Sequence, residues 1–216
     1  MCFIVEEDRN KPFLEQKSII PSLLPEKPPS HLDNMKPFRD AWPNDPPFNR
    51  PIQIERIIKF NIVPDELVSR LLVLIHPMIQ NNLVWKNDVV IFNETENTQS
   101  YIRVETSLSR FVVTIRGSDL NHCKNFLEWI IKQVEIVCDK YKSISFEQMI
   151  RSPHSSKTEI SIEQVKSDLS LPLNERKLIC PDTFLPILSE KVLQKAGIVD
   201  SIQKIKGNLL LITKSK

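Results

Sequence analysis

A chain of 216 residues with 29 Lys and Arg against 27 Asp and Glu has a formal charge of +2, too balanced for bulk attraction to nucleic acid or an anionic membrane. Hydrophobic residues at 41% and charged residues at 26% suit one globular domain with added segments at its ends. The longest apolar run, residues 71–75, is cut by His76 and Pro77 and falls far short of the roughly 18 residues that span a bilayer. The N-terminus reads Met-Cys-Phe-Ile-Val-Glu-Glu-Asp, acidic where a secretion signal is basic and then apolar, so the expected location is the cytoplasm.

The first 51 residues hold ten of the 16 prolines. Proline fixes φ and removes an amide donor, so this stretch is expected to be extended and irregular. Ile19, Ile20, Leu23, Leu24, Phe38, Trp42 and Phe48 make it too apolar for a solvated tether. The expectation is an ordered, proline-rich arm lying across a domain surface.

From Ile52 the pattern becomes that of a strand. Ile54, Arg56, Ile58 and Phe60 alternate with Glu55, Ile57 and Lys59, and apolar residues on both sides predict cover on both faces. Pro64, Asp65 and Glu66 then open a helix, since proline suits its first turn and acids its positive end. Leu67, Val68, Leu71, Leu72 and Ile75 recur at helical spacing, and Pro77 ends or kinks the helix. Strands are predicted over 83–92, 101–107 and 110–116 as antiparallel neighbours. Lys86, Asn87 and Asp88 form a turn that divides the first into a hairpin.

Gly117, Ser118 and Asp119 break the sheet and cap a helix over about 120–141. Its apolar stripe comprises Leu120, Cys123, Phe126, Leu127, Ile130, Ile131, Val134, Val137, Cys138 and Tyr141. Beyond Lys142 the signal weakens: a polar loop over 151–158, a short helix within 160–170, and a last strand over 208–213. The fold class that follows is α+β, an antiparallel β-sheet packed by two main helices and preceded by the extended arm.

Chemistry finds little footing. The chain has only three glycines, Gly117, Gly197 and Gly207, too scattered for a phosphate-cradling loop, so no nucleotide cofactor is expected. The four histidines, at 31, 76, 122 and 154, and the four cysteines, at 2, 123, 138 and 180, have no metal or disulfide spacing. Cys123 and Cys138 on one helix stand roughly 22 Å apart, so free thiols are expected. No Gly-x-Ser-x-Gly elbow exists. Lys204, Lys206, Lys214 and Lys216 form a basic tail that reads as solvated. No catalytic residue, cofactor or metal site is expected.

Three stretches resemble the second subdomain of COR, the region that follows the Roc GTPase in Roco-family proteins. Ser18-Ile19-Ile20-Pro21-Ser22-Leu23-Leu24-Pro25 is similar to the family's arm, preceded by Cys2-Phe3-Ile4-Val5 where the first COR subdomain ends. Arg56-Ile57-Ile58-Lys59-Phe60-Asn61-Ile62-Val63-Pro64, continuing through Ser69-Arg70-Leu71, resembles its strand–helix block. Val84-Trp85-Lys86-Asn87-Asp88-Val89-Val90 resembles its tryptophan hairpin, with Asp88 where a glycine usually stands. The family often has cysteines after the long helix, whereas residues 150–155 have none.

The resemblance divides the chain into 1–51, the end of the first COR subdomain and the connecting arm; 52–150, the second COR subdomain; and 151–216, a C-terminal extension of uncertain fold. No Roc GTPase precedes it and no kinase follows, so a truncated product, a gene fragment or an excised piece is expected. It implies a non-catalytic interaction and dimerisation module for intracellular signalling. The partners implied are a Roc GTPase domain in cis in the parent and a second copy of the chain; the parent could also carry a serine/threonine kinase. Ile58, Phe60, Ile62 and Arg70 would face Roc, with Trp85 in the hairpin of the same subdomain. For Ile58, Phe60 and Trp85, filling the local core is an equally good reading. Two other classes stay open: a small hydrolase or transferase whose site the fold assembles, and an unrelated adaptor that uses the arm as a peptide ligand.

Overall fold

The computed structural model describes residues 51–172, 174–188, 192 and 193, with positions 3, 4, 18, 19, 24, 38, 40, 42, 43 and 48 of the arm. The strand expected over 208–213, the basic tail, Cys2 and most of the arm lie outside the described residues.

Two short strands, β1 (Phe3–Ile4) and β2 (Ser18–Ile19), pair with each other apart from the main sheet. Strand β3 (Ile52–Phe60) alternates as its sequence requires, with Ile54, Arg56, Ile58 and Phe60 buried on one face. The expected cover on the second face is present at Ile57 alone, while Gln53 and Lys59 are exposed. β3 is a central strand, and Ile57 lies between its cross-strand neighbours Val112 and Met149.

Helix α1 (Asp65–Ile75) starts after Pro64, which is extended at ψ 147°, and buries the predicted stripe from Leu67 to Ile75. Pro77 lies in a 3-10 turn, His76–Met78, that ends it. A meander follows: β4 (Ile79–Val84), β5 (Asp88–Asn93), β6 (Thr98–Glu105) and β7 (Arg110–Gly117). The predicted hairpin turn between β4 and β5 is closed by Trp85 N donating to Asp88 O at 2.7 Å. Helix α2 (Leu120–Cys138) begins where Asp119 accepts hydrogen bonds from the amides of Asn121 and His122.

The chain then returns to the sheet in β8 (Phe146–Arg151), which the sequence pattern did not mark, and β9 (Glu159–Ser161). Helix α3 (Ile162–Leu169) is the short helix expected there. The seven strands lie in the order β4-β5-β6-β7-β3-β8-β9, every pair antiparallel. The fold is α+β as expected: among the described residues the two main helices, α1 and α2, pack on an antiparallel sheet, joined by the short α3.

The main core lies between one sheet face and helices α1 and α2, around Ile54, Ile58, Phe111, Ile115, Phe126 and Ile130. A second cluster, including Ile150, Ile160, Val165 and Leu169, packs α3 against β8 and β9. The sheet therefore runs through the boundary expected at residue 150, which falls inside β8.

Candidate interaction surfaces

The five residues that the resemblance singles out go to three different places. Ile58 and Phe60 point into the main core, 0% and 4% exposed. Phe60 stacks at a tilt on Phe111, with centroids 4.7 Å apart, and meets Phe146 at 5.8 Å. Ile62, just past the end of β3, is 54% exposed. Arg70 on α1 is half-buried, its guanidinium 5.4 Å from the Tyr141 ring at the end of α2. Trp85 is buried on the opposite sheet face with Leu83 and Val90. Only Ile62 and Arg70 present side-chain surface to a partner.

The outer face, turned away from α1 and α2, has two halves of different character. Over β5 and β6 it is aromatic: Phe38 and Trp42 of the arm pack on Trp85 and Tyr101. Tyr101 Oη donates to Asp88 Oδ1 at 2.5 Å, and Arg103 Nε lies 3.5 Å from the same carboxylate. Burial first, then this hydrogen bond, pushes the Tyr101 hydroxyl up to about 12. Asp88, in place of the glycine expected there, thus anchors the floor of the aromatic half.

Over β3, β8 and β9 the outer face is charged. Arg151 pairs with Glu55 at 2.5 Å, and Arg110 pairs with both Glu105 and Glu159. A cleft of about 270 Å³ lies among Lys59, Leu108, Arg110, Met149, Lys157 and Glu159. Within it Arg110 and Glu159 are paired with each other.

Among the described residues, no group of three or more His, Cys, Asp and Glu is placed to hold a metal ion. Cys123, Cys138 and Cys180 are free and buried. Burial pushes the thiols of Cys123 and Cys138 up to about 11. Hydrogen bonds from Ser152, whose Oγ is 3.1 Å from the sulfur, and from Thr183 pull Cys180 down to about 6. The nearby His154 directs Nε2 to the carbonyl of Pro186, at 3.0 Å, and not to the sulfur. Among the described residues no helix is long and apolar enough to cross a membrane.

The features that sequence reasoning passed over are Asp88 and Tyr101 beneath the arm, and the contact of Arg116 with Trp42. Which partner covers Tyr101 is a long-range fact that no local pattern carries.

No curated protein matches the chain. A family model described as "C-terminal of Roc, COR-B domain" matches residues 52–179, from the first residue of β3 through the whole sheet, α3 and the start of the hairpin beyond it. With the Roco-like arm, strand–helix block and hairpin in their expected order, and more than half of its length matched, the chain belongs to the COR-B family.

Proposed function

We propose that the chain is a non-catalytic docking and dimerisation module of a Roc–COR GTPase that works in intracellular signalling. The observation that carries this is the COR-B match over residues 52–179, which spans the seven-stranded sheet and helices α1, α2 and α3. A COR domain implies a Roc GTPase in the same polypeptide, so the main partner is a Roc domain acting in cis; the second partner is another copy of the chain. On this reading residues 1–51 end the first COR subdomain and connect it to the second. The parent could also carry a protein kinase, and the setting is the cytoplasm.

Within that function the expected site residues divide by role. Ile62 and Arg70 are proposed to meet Roc directly, because their side chains retain accessible surface. Ile58, Phe60 and Trp85 are proposed to act at one remove, by holding the strand and hairpin in shape.

Equilibrium titration of the purified chain with a fluorescent GTP analogue tests the non-catalytic reading. The expected outcome is no saturable binding and no phosphate release. Tight binding, or turnover of GTP or ATP, would contradict it.

A further inference from the structure

The aromatic half of the outer face has the makings of a recognition site. Its floor is Leu83, Trp85 and Val90, with Tyr101 beside them. Phe38 stands edge-on to two rings, 5.8 Å and 74° from Trp85 and 5.4 Å and 67° from Tyr101. Trp42 lies 5.7 Å from Tyr101, and its amide donates to Phe38 O at 2.7 Å, so a single helical turn delivers both rings to one patch. On the far side the Arg116 guanidinium is 4.2 Å from the centroid of the Trp42 ring, and its Nη1 donates to Pro43 O at 2.7 Å.

The receiving groups are held by the sheet itself. Arg116 Nε donates to Gln53 Oε1 at 2.8 Å across β7 and β3, and Tyr101 is tied to Asp88 across β6 and β5. The described residues between 38 and 43 add no strand to the sheet. They are bound the way a ligand is bound, by ring edges, a cation over an indole and one carbonyl.

The geometry points to a recognition site for a short turn carrying two aromatic residues four apart and then proline. This chain fills it with its own Phe38, Trp42 and Pro43, and the same motif supplied in trans competes for it. The arm is thus a displaceable cis ligand that masks this face. The proposal goes beyond docking on Roc and stands whether or not that docking occurs. Tethering gives the arm an effective concentration on the order of millimolar, so the intact chain discriminates against a free competitor until the arm is released.

Fluorescence anisotropy with a labelled peptide of residues 36–48 tests this on the full chain and on a Phe38→Ala/Trp42→Ala double variant. The double variant is expected to bind the peptide saturably, the unaltered chain about tenfold more weakly or worse, and binding is expected to vanish when Arg116→Gln is added to the double variant. Equal affinity for the unaltered chain and the double variant overturns the proposal. So does retained binding in the triple variant, or absent binding to a double variant whose circular dichroism matches the parent. Where the double variant does not fold, the unaltered chain decides. Millimolar peptide carrying Arg39→Gln, which trypsin cannot cut, then speeds tryptic cleavage of the chain after Arg39 about threefold or more, and the same peptide with alanine for both aromatic residues does not. An unchanged cleavage rate overturns the proposal.

Discussion

A methyl group added at residue 117 would strike two side chains at once. A Cβ there would lie 2.8 Å from Cys123 Sγ and 2.8 Å from Thr98 Cγ2, and neither Cys123 nor Thr98 is exposed to solvent at all. Neither neighbour can swing out into water, so Gly117→Ala is expected to cost about 1–3 kcal/mol through overpacking. Cys123→Ala should recover part of that loss, which urea unfolding of the four variants in a double-mutant cycle would read; strictly additive effects would mean that the two sites do not touch. Two residues on, Asp119 gives the same helix start a pH signature. Amide hydrogen bonds from His122 and Asn121 hold its carboxyl below its ordinary value of 3.8. A carboxyl depressed in the folded state adds stability that is fully present above the unfolded value and is lost as pH falls through the folded one. Melting temperatures between pH 2 and 7 should therefore drop below about pH 4 in the parent. Asp119→Asn, still able to cap but unable to titrate, should flatten that part of the profile; an unchanged drop would remove Asp119 as its source. The cap was legible in the sequence, because Gly117, Ser118 and Asp119 stand directly before an apolar stripe. The close approach at Gly117 was not, because Cys123 and Thr98 reach it only through the tertiary fold. Ile58, Phe60 and Trp85 show a related ambiguity: a core and an interface both call for large apolar residues, and sequence does not say which surface buries them.

At the scale of elements, periodicity read the long helix well. Cys123, Phe126, Leu127, Ile130, Ile131, Val134, Val137 and Cys138 are all buried, and all belong to the predicted stripe. Ile130 is 0% exposed at the middle of that stripe. Ile130→Ala is expected to cost about 2–5 kcal/mol in chemical denaturation, from lost transfer energy and the cavity left behind. Ile130→Asp should not fold at all, because an unpaired buried charge costs several kcal/mol against a total stability of roughly 5–15. A soluble Asp variant with a native melting transition would mean that the helix face is wrongly assigned. Strand β8 escaped detection because Phe146, Gln148 and Ile150 put a glutamine on the buried side, opposite Ile58. That glutamine accepts from Arg56, whose guanidinium burial pulls down to about 10. A polar pair inside the core breaks the alternation by which a strand is recognised. The Arg151–Glu55 pair, about a third exposed on each side, contributes little to stability by comparison, since exposed pairs are worth about 0–1 kcal/mol.

At the scale of the whole molecule, the sheet with helices on one face leaves a second face for contact. The order of elements was legible from residue 52 to the end of α2 because each carries its own period and its own stop signal. The reach of the sheet beyond residue 150 was not, because β9 has only three residues and its burial depends on α3. Nor could any local pattern show that the arm's Phe38 and Trp42 would rest on Trp85 and Tyr101. The functional reading rests on protein surfaces meeting, and light scattering tests that most directly: the molar mass of the purified chain, measured alone and with a Roc domain added. The account predicts twice the 25.1 kDa of one chain when alone, and a further increase when Roc is present. A strict monomer whose mass ignores Roc would contradict it.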